Sequence, residues 1–251
     1  MIHVDRGPEP SDFSTRAAAW NQRFREALRT DPQLTASQFW SRLRDQIRAD
    51  AQVLYKAFHG KCAFCEARMA QVSSPHIEHY RPKSRFPDLM FAWENWMLSC
   101  GRCNDTKWAR FPDCDGQPCL VNPTTEDPDL HLDFLNDRVL AKTQRGERTI
   151  KLVGLDRSPL EDDRCLWLTT INCLLLLVCH VLEARAEARE LLIWAMQPEA
   201  PYSAMTRSYL RQKTPKLVDP GIPHPPITFP DPQGRIANLV EQYSDRLQSI
   251  T

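Results

Sequence analysis

Residues 62–107 read CAFCEARMAQVSSPHIEHYRPKSRFPDLMFAWENWMLSCGRCNDTK, and the rest of the chain is arranged around this stretch. Two Cys-x-x-Cys pairs, Cys62/Cys65 and Cys100/Cys103, close it at either end. Two dithiol knuckles brought together offer four thiolates at the corners of a tetrahedron, the donor set of a structural Zn²⁺ shut off from water. A redox dithiol needs one pair in a βαβ setting. Two pairs flanking a polar cluster therefore favour the metal over redox chemistry or plain buried thiols. A closed tetrathiolate keeps no open coordination position, so the expected work of this zinc is to staple two segments with little apolar material between them.

Between the knuckles lie His76, Glu78, His79 and Asn95, and Asn104 follows Cys103 directly. A carboxylate beside an imidazole, with an amide oxygen returning from a later turn, suits a hard cation such as Mg²⁺ together with a general base. His76 lies three residues before His79, an offset that puts the two on opposite faces of an extended strand. It reads either as a supporting or phosphate-contacting group or as an exposed histidine with no special task. Lys107, one turn past Asn104 on a helix begun near Cys100, reads as a phosphate contact rather than a solvated lysine.

The segment Cys62 to Lys107 resembles the HNH, or ββα-metal, endonuclease motif: an acidic-His step (Glu78, His79) opens the strand region and a CxxCN-x-x-K step (Cys100 to Lys107) ends in a helix. A looser likeness extends over Leu120–Phe134 and Glu147–Arg164. That longer pattern is similar to the PtuB and retron-associated HNH proteins of bacterial anti-phage systems, which accompany an ATPase partner. The resemblance implies that His79 is the general base and that Glu78 and Asn104 hold the catalytic Mg²⁺ or Mn²⁺. It implies that Asn95 ties the loop between the strands and fixes His79 through backbone hydrogen bonds. Glu78 stands where Asp is commoner in the motif, and Asn104 where His is. The fold implied is mainly α, with a small inserted ββα-metal unit stapled by a Cys₄ zinc site.

The 251 residues, with 32 basic and 32 acidic side chains, have the composition of a soluble globular protein with material for one large or two modest domains. Zero net charge argues against a protein that coats nucleic acid indiscriminately, so a grip on a polyanion must come from local patches. Arg81 and Lys83 in YRPKSRFPD, with Lys107 on the helix side, are the expected nucleic-acid contacts, with DNA favoured over RNA. Trp93, Trp96 and Trp108 read first as core of the small metal-bound unit, with a minor-groove or single-strand stacking role as the alternative. The opening MIHVDRGPEP has no apolar core, so no signal peptide is expected. Nine cysteines, four in zinc spacing, fit a reducing cytoplasm, and Cys114 and Cys119 are expected to be ordinary loop thiols.

The expected organisation is an N-terminal helical segment (1–60), the ββα-metal core with its knuckles (61–113), a C-terminal helical region (114–213), and a Pro-rich linker with a terminal helix (214–251). Within the first, Trp20, Phe24 and Leu28 recur at four-residue steps on one helix. A second helix starts with a Thr35/Gln38 capping box, buries Phe39, Leu43, Ile47, Leu54 and Phe58, and stops at Gly60. Residues 120–137 read as a surface connection, leading into a hairpin with Asn136-Asp137 at its turn. A short helix over 147–153 ends at Gly154. Ser158-Pro159 starts a helix expected to run to about residue 196. Its uncharged run Cys165–Leu182 reads as a central buried helix, or one partly covered by a partner, rather than a membrane span. The seven prolines of residues 214–233 mark an extended linker. No phosphate-binding glycine loop is present, so ATP hydrolysis is not expected of this chain. The competing functional reading is a zinc-stabilised module that binds nucleic acid or protein without cutting.

Overall fold

The computed structural model describes residues 1–69 and 76–213; the linker and terminal helix expected over 214–251 lie outside the described residues. About half of the described residues are helical, and the sheets among them are small two-stranded ribbons. The elements in chain order are α1 (Phe13–Thr30), α2 (Ala36–Ser41), α3 (Arg48–Ala57), β1 (His76–His79), β2 (Trp96–Ser99) and α4 (Gly101–Lys107). They continue with β3 (Asp113–Cys114), β4 (Gln117–Pro118), β5 (Leu132–Leu135), β6 (Arg138–Ala141), α5 (Gln144–Val153), α6 (Ser158–His180), α7 (Arg185–Ala195) and α8 (Ser203–Lys213).

Helix α1 turns Phe13, Ala17, Trp20 and Phe24 inward, with Leu28 partly buried against the same core. Thr35 and Gln38 form the capping box that starts α2: the Gln38 amide donates to Thr35 Oγ1 and the Thr35 amide to Gln38 Oε1. The expected single helix over these residues is two. Residues 42–47 tighten into turns with i→i+3 bonds such as Leu43 N–H to Trp40 O, and the helix resumes as α3. All five apolar positions, Phe39 to Phe58, are nonetheless buried. The chain leaves α3 through His59 and Gly60, both at positive φ; a Cβ on Gly60 would also lie 2.8 Å from the Tyr55 hydroxyl.

Strands β1 and β2 pair antiparallel with His79 opposite Trp96 and Glu78 opposite Met97, and α4 follows β2 after one residue, giving a ββα unit. Phe13, Trp20, Trp40, Phe91, Trp93 and Trp96 form an edge-to-face and stacked aromatic cluster that welds α1 and α2 to this unit. The hairpin β5–β6 turns at Asn136 (φ 53), as its Asn-Asp pair implies, and packs on α8. Thr143 caps α5 and Gly154 ends it in the left-handed conformation. Gly146 in that helix approaches His131 O so closely that a Cβ would sit 2.1 Å from it.

Three expectations change. Cys114 and Cys119 are bonded to one another as a disulfide across the β3–β4 ribbon rather than free thiols. Leu120 and Val121 are core, not surface connection, and Thr149 of α5 holds this irregular segment by accepting from Val121 N–H. The long helix expected from Ser158 to about 196 breaks after His180 and folds back as α7, which buries Ala188, Leu192 and Ala195. The gain from packing two apolar faces exceeds the helix-forming preference of the LEARA turn, which holds no proline or glycine. Helix α6 has the length and composition of a membrane span, but it lies with one face in the core (Leu160, Cys165, Leu168, Ile171, Leu175) and the other open. It is thus half-covered rather than central.

Candidate active site and thiol cluster

The two knuckles meet. All four sulfurs of Cys62, Cys65, Cys100 and Cys103 are buried and lie within 4.8 Å of one another, with Cys65 Sγ 3.8 Å from Cys100 Sγ. A tetrahedral zinc with Zn–S bonds of about 2.3 Å needs sulfur–sulfur edges of about 3.8 Å, so the cluster has the size and donor chemistry for that ion. Glu66 at positive φ turns the first knuckle, and Cys100 Sγ caps α4 by accepting from the Cys103 amide at 3.5 Å. Arg157, from the turn before α6, donates to Cys103 Sγ at 3.6 Å and to Gly154 O at 2.7 Å. Its guanidinium lies against the thiol cluster as a compensating cation, a position the sequence offered no signal for.

A cleft of about 250 Å³ opens beside this scaffold, lined by Glu78, His79, Lys83, Asn104, Asp105 and Trp108 among others. Neighbours on a flat strand point to opposite faces. Here Glu78 and His79 both border the cleft because it sits at the end of β1, between α4 and the loop after residue 79. Glu78 leans towards α4, where Lys107 Nζ donates to Glu78 Oε1 and to His79 O. His79 leans towards the loop, where its Nε2 bonds Met90 O at 3.0 Å and Trp40 stands edge-on to the ring at 4.5 Å. A carbonyl only accepts, so Nε2 carries the proton in the neutral imidazole and Nδ1 keeps the lone pair. Burial, then the Lys83 and Lys107 cations, lower the imidazole pKa to about 3, which leaves the ring neutral at pH 7. Burial likewise raises the Glu78 carboxyl, against the pull of Lys107.

Asn95 is buried, and its carboxamide staples the loop: Nδ2 donates to Arg81 O and Leu89 O, and Oδ1 accepts from Arg81 N–H at 2.7 Å. Leu89 precedes Met90, so this staple sets the carbonyl that orients His79; Trp96 Nε1 donates to the same carbonyl at 2.8 Å. Asn104 is half-buried at the cleft and its side chain has no hydrogen-bond partner among the described residues. Lys83 stands in the cleft with its ammonium 5.9 Å from the Trp40 ring. Burial lowers its pKa.

Two expected phosphate contacts lie elsewhere. Lys107 is completely buried, and its ammonium is spent on Glu78 and His79 O instead of facing solvent. Arg81 is directed over the Phe86 and Phe111 rings and borders a separate hollow with Tyr80, Asn95 and Arg145. His76 is exposed on the outer side of β1. Trp93 and Trp96 are core as expected, whereas Trp108 is 77 % exposed at the cleft mouth. Trp108, expected in the core, and Asp105, with no expected role, both line the cleft, because helix and helix-end positions next to Asn104 carry no pattern that distinguishes a cleft wall from core or solvent.

Residues 62–110 match the HNH endonuclease family model. The chain is 27% identical over 158 residues to the Septu protein PtuB of Bacillus thuringiensis, an alignment covering 62% of this chain and 55% of that protein. It is 30% identical over 142 residues to the Septu protein PtuB of Bacillus mycoides (strain KBAB4), covering 45% and 48%. It is also 27% identical over 136 residues to the Septu protein PtuA of the same strain, covering 43% of this chain but 19% of that protein. The chain spans about half the length of the PtuB relatives it matches. The chain thus carries an HNH-type segment at residues 62–110 and is similar to PtuB proteins over part of its length.

Proposed function

We propose that this chain is a metal-dependent HNH endonuclease that hydrolyses nucleic-acid phosphodiester bonds, with DNA as the preferred substrate. In this reading it acts as the effector of an anti-phage system under the control of a PtuA-type ATPase. The observation that carries the reading is that Glu78, His79 and Asn104 border one cleft inside the segment that matches the HNH family. Their donor set, one carboxylate oxygen and one free amide oxygen, fits Mg²⁺ or Mn²⁺, which keep several waters and take the rest of their ligands from substrate phosphate. A divalent ion held there supplies charge stabilisation at the phosphorus and at the leaving oxygen.

The chain's own groups supply the rest. Met90 O holds the His79 ring so that Nδ1 is free to accept a proton from a water in the cleft. An arriving phosphate anion raises the affinity of that ring for the proton, because it offsets the Lys83 cation that otherwise opposes it. Lys107 neutralises Glu78 from behind, so one carboxylate oxygen stays available to a cation while the other is paired. Lys83 offers the exposed-side charge for phosphate binding. Cys62 and Cys65 of the first knuckle, with Cys100 and Cys103 at the start of α4, would hold a structural zinc, which would staple these segments together and leave the chemistry to the cleft.

The test is nicking of supercoiled plasmid by the zinc-loaded full chain with its PtuA-type partner. Nicking is expected with Mg²⁺ or Mn²⁺ and not when the divalent ion is omitted. A chain that binds the plasmid equally well under both conditions and never nicks it is a binding module, and the nuclease reading is then wrong.

A further inference from the structure

We propose that Trp108 is a stacking platform for an unpaired nucleobase next to the scissile phosphate, so that the site takes a single-stranded or locally opened strand. The proposal rests on the nuclease reading of the cleft and deepens it by naming the form of substrate. Trp108 is 77 % exposed, whereas Trp93 and Trp96 of the same unit are at most 3 % exposed. A large indole left in water forfeits the burial that places tryptophan in protein interiors. It also forms part of the wall that carries Glu78, His79, Lys83 and Asn104.

A second, independent observation concerns the backbone. Trp108 sits at φ 50, ψ −134, a conformation that glycine adopts freely and a bulky residue does not. Tryptophan at this position is therefore both largely exposed and strained, and folding gains little from the choice. The mount is rigid. The Trp108 amide donates to Asn104 O at 2.8 Å, and the preceding residue, Lys107, is pinned beneath Glu78 and His79. A fixed indole face beside a phosphate site, with the Lys83 ammonium in the same cleft, is the arrangement that holds a base by stacking and its phosphate by charge. Bases inside an intact duplex are already stacked, so the indole gains a full partner only from a base that is out of the helix.

The test measures binding of a labelled single strand, and of the same sequence as duplex, to the zinc-loaded full chain with Mg²⁺. A His79→Ala background prevents cutting. Trp108→Ala and Trp108→Gly are expected to weaken single-strand binding by about fivefold to a hundredfold, Trp108→Phe by less than about threefold, and duplex binding is expected to change by less than about twofold. Because the native backbone there suits glycine, Trp108→Gly is expected to raise the melting temperature while weakening binding; a purely structural tryptophan predicts a lower one. Single-strand affinity unchanged in Trp108→Ala, or an equal loss on strand and duplex, would overturn the proposal. Should a Trp108 variant lose its zinc, the His79→Ala chain with Trp108 intact decides. Moving one abasic site along the strand must reveal one position with the same loss, and a flat profile counts against stacking. If these binding differences appear while the chain with His79 intact cuts nothing in the presence of its PtuA-type partner and Mg²⁺, the nuclease reading fails and the platform stands.

Discussion

At the residue scale, Lys107 and Glu78 show how one contact redirects a role. With its ammonium wholly buried on Glu78, Lys107 acts as the counter-charge that lets a carboxylate sit at the base of a cleft. Removing one member of a buried pair leaves the other uncompensated, at a cost of roughly 3–5 kcal/mol. Lys107→Met is therefore expected to lower stability in urea by that order, and adding Glu78→Gln to recover part of the loss. A lysine that only touched phosphate would show neither effect. Asn95 lends itself to a similar test. Its three hydrogen bonds to Arg81 and Leu89 hold the carbonyl that orients His79. Asn95→Ala should cost about 1–3 kcal/mol of stability. It should also slow single-turnover cleavage while the zinc content stays unchanged.

At the element scale, the paired knuckles, the strand carrying Glu78 and His79, and the helix begun at Cys100 were legible in the sequence because each has a fixed short spacing. Legible for the same reason were the Thr35 capping box, the Asn136 turn and the Gly154 stop, each set by local chemistry. What spacing could not disclose is which way a side chain turns once neighbouring elements pack. The break after His180, the burial of Lys107, the exposure of Trp108 and the arrival of Arg157 at the thiols all depend on contacts distant in sequence. Arg157 makes its own prediction. It is the cation against a cluster that carries net negative charge when loaded with zinc. Arg157→Met should speed zinc loss to a chromogenic chelator by about 10–100-fold, with the cysteines intact. Another inter-element tie is pH-dependent. Arg145 of α5 grips both oxygens of Glu126. Although burial alone would raise this carboxyl, the Arg145 bonds and the Asn122 amide hold it below the usual carboxylate range. Its contribution is complete above the unfolded carboxylate pKa of about 4.3 and fades as pH falls through the lower folded value. Wild type should therefore lose stability relative to Arg145→Met as pH drops below about 4.

At the scale of the whole molecule, one apolar core runs from Met1 to Leu210 and carries the ββα unit inside a helical body. Helices α6 and α7 and the turn between them leave Leu166, Leu182, Leu191 and Trp194 substantially exposed. These apolar side chains are the expected contacts for the ATPase partner of the proposed function. Leu182→Ser with Leu191→Ser should abolish co-purification with a PtuA-type ATPase while the melting temperature and zinc content stay as in wild type. Retained co-purification would place the partner elsewhere. The central claim is that the thiol-clamped scaffold brings His79 and Asn104 to one phosphate. Its most direct test is single-turnover cleavage of a labelled strand, in the presence of the partner, by wild type, His79→Ala and Asn104→Ala, with zinc content and strand affinity measured on the same samples. The account predicts that both variants keep their zinc and bind the strand, with cleavage falling about 10²–10⁴-fold in His79→Ala. Cleavage at the wild-type rate by a zinc-loaded, strand-binding His79→Ala chain would contradict it.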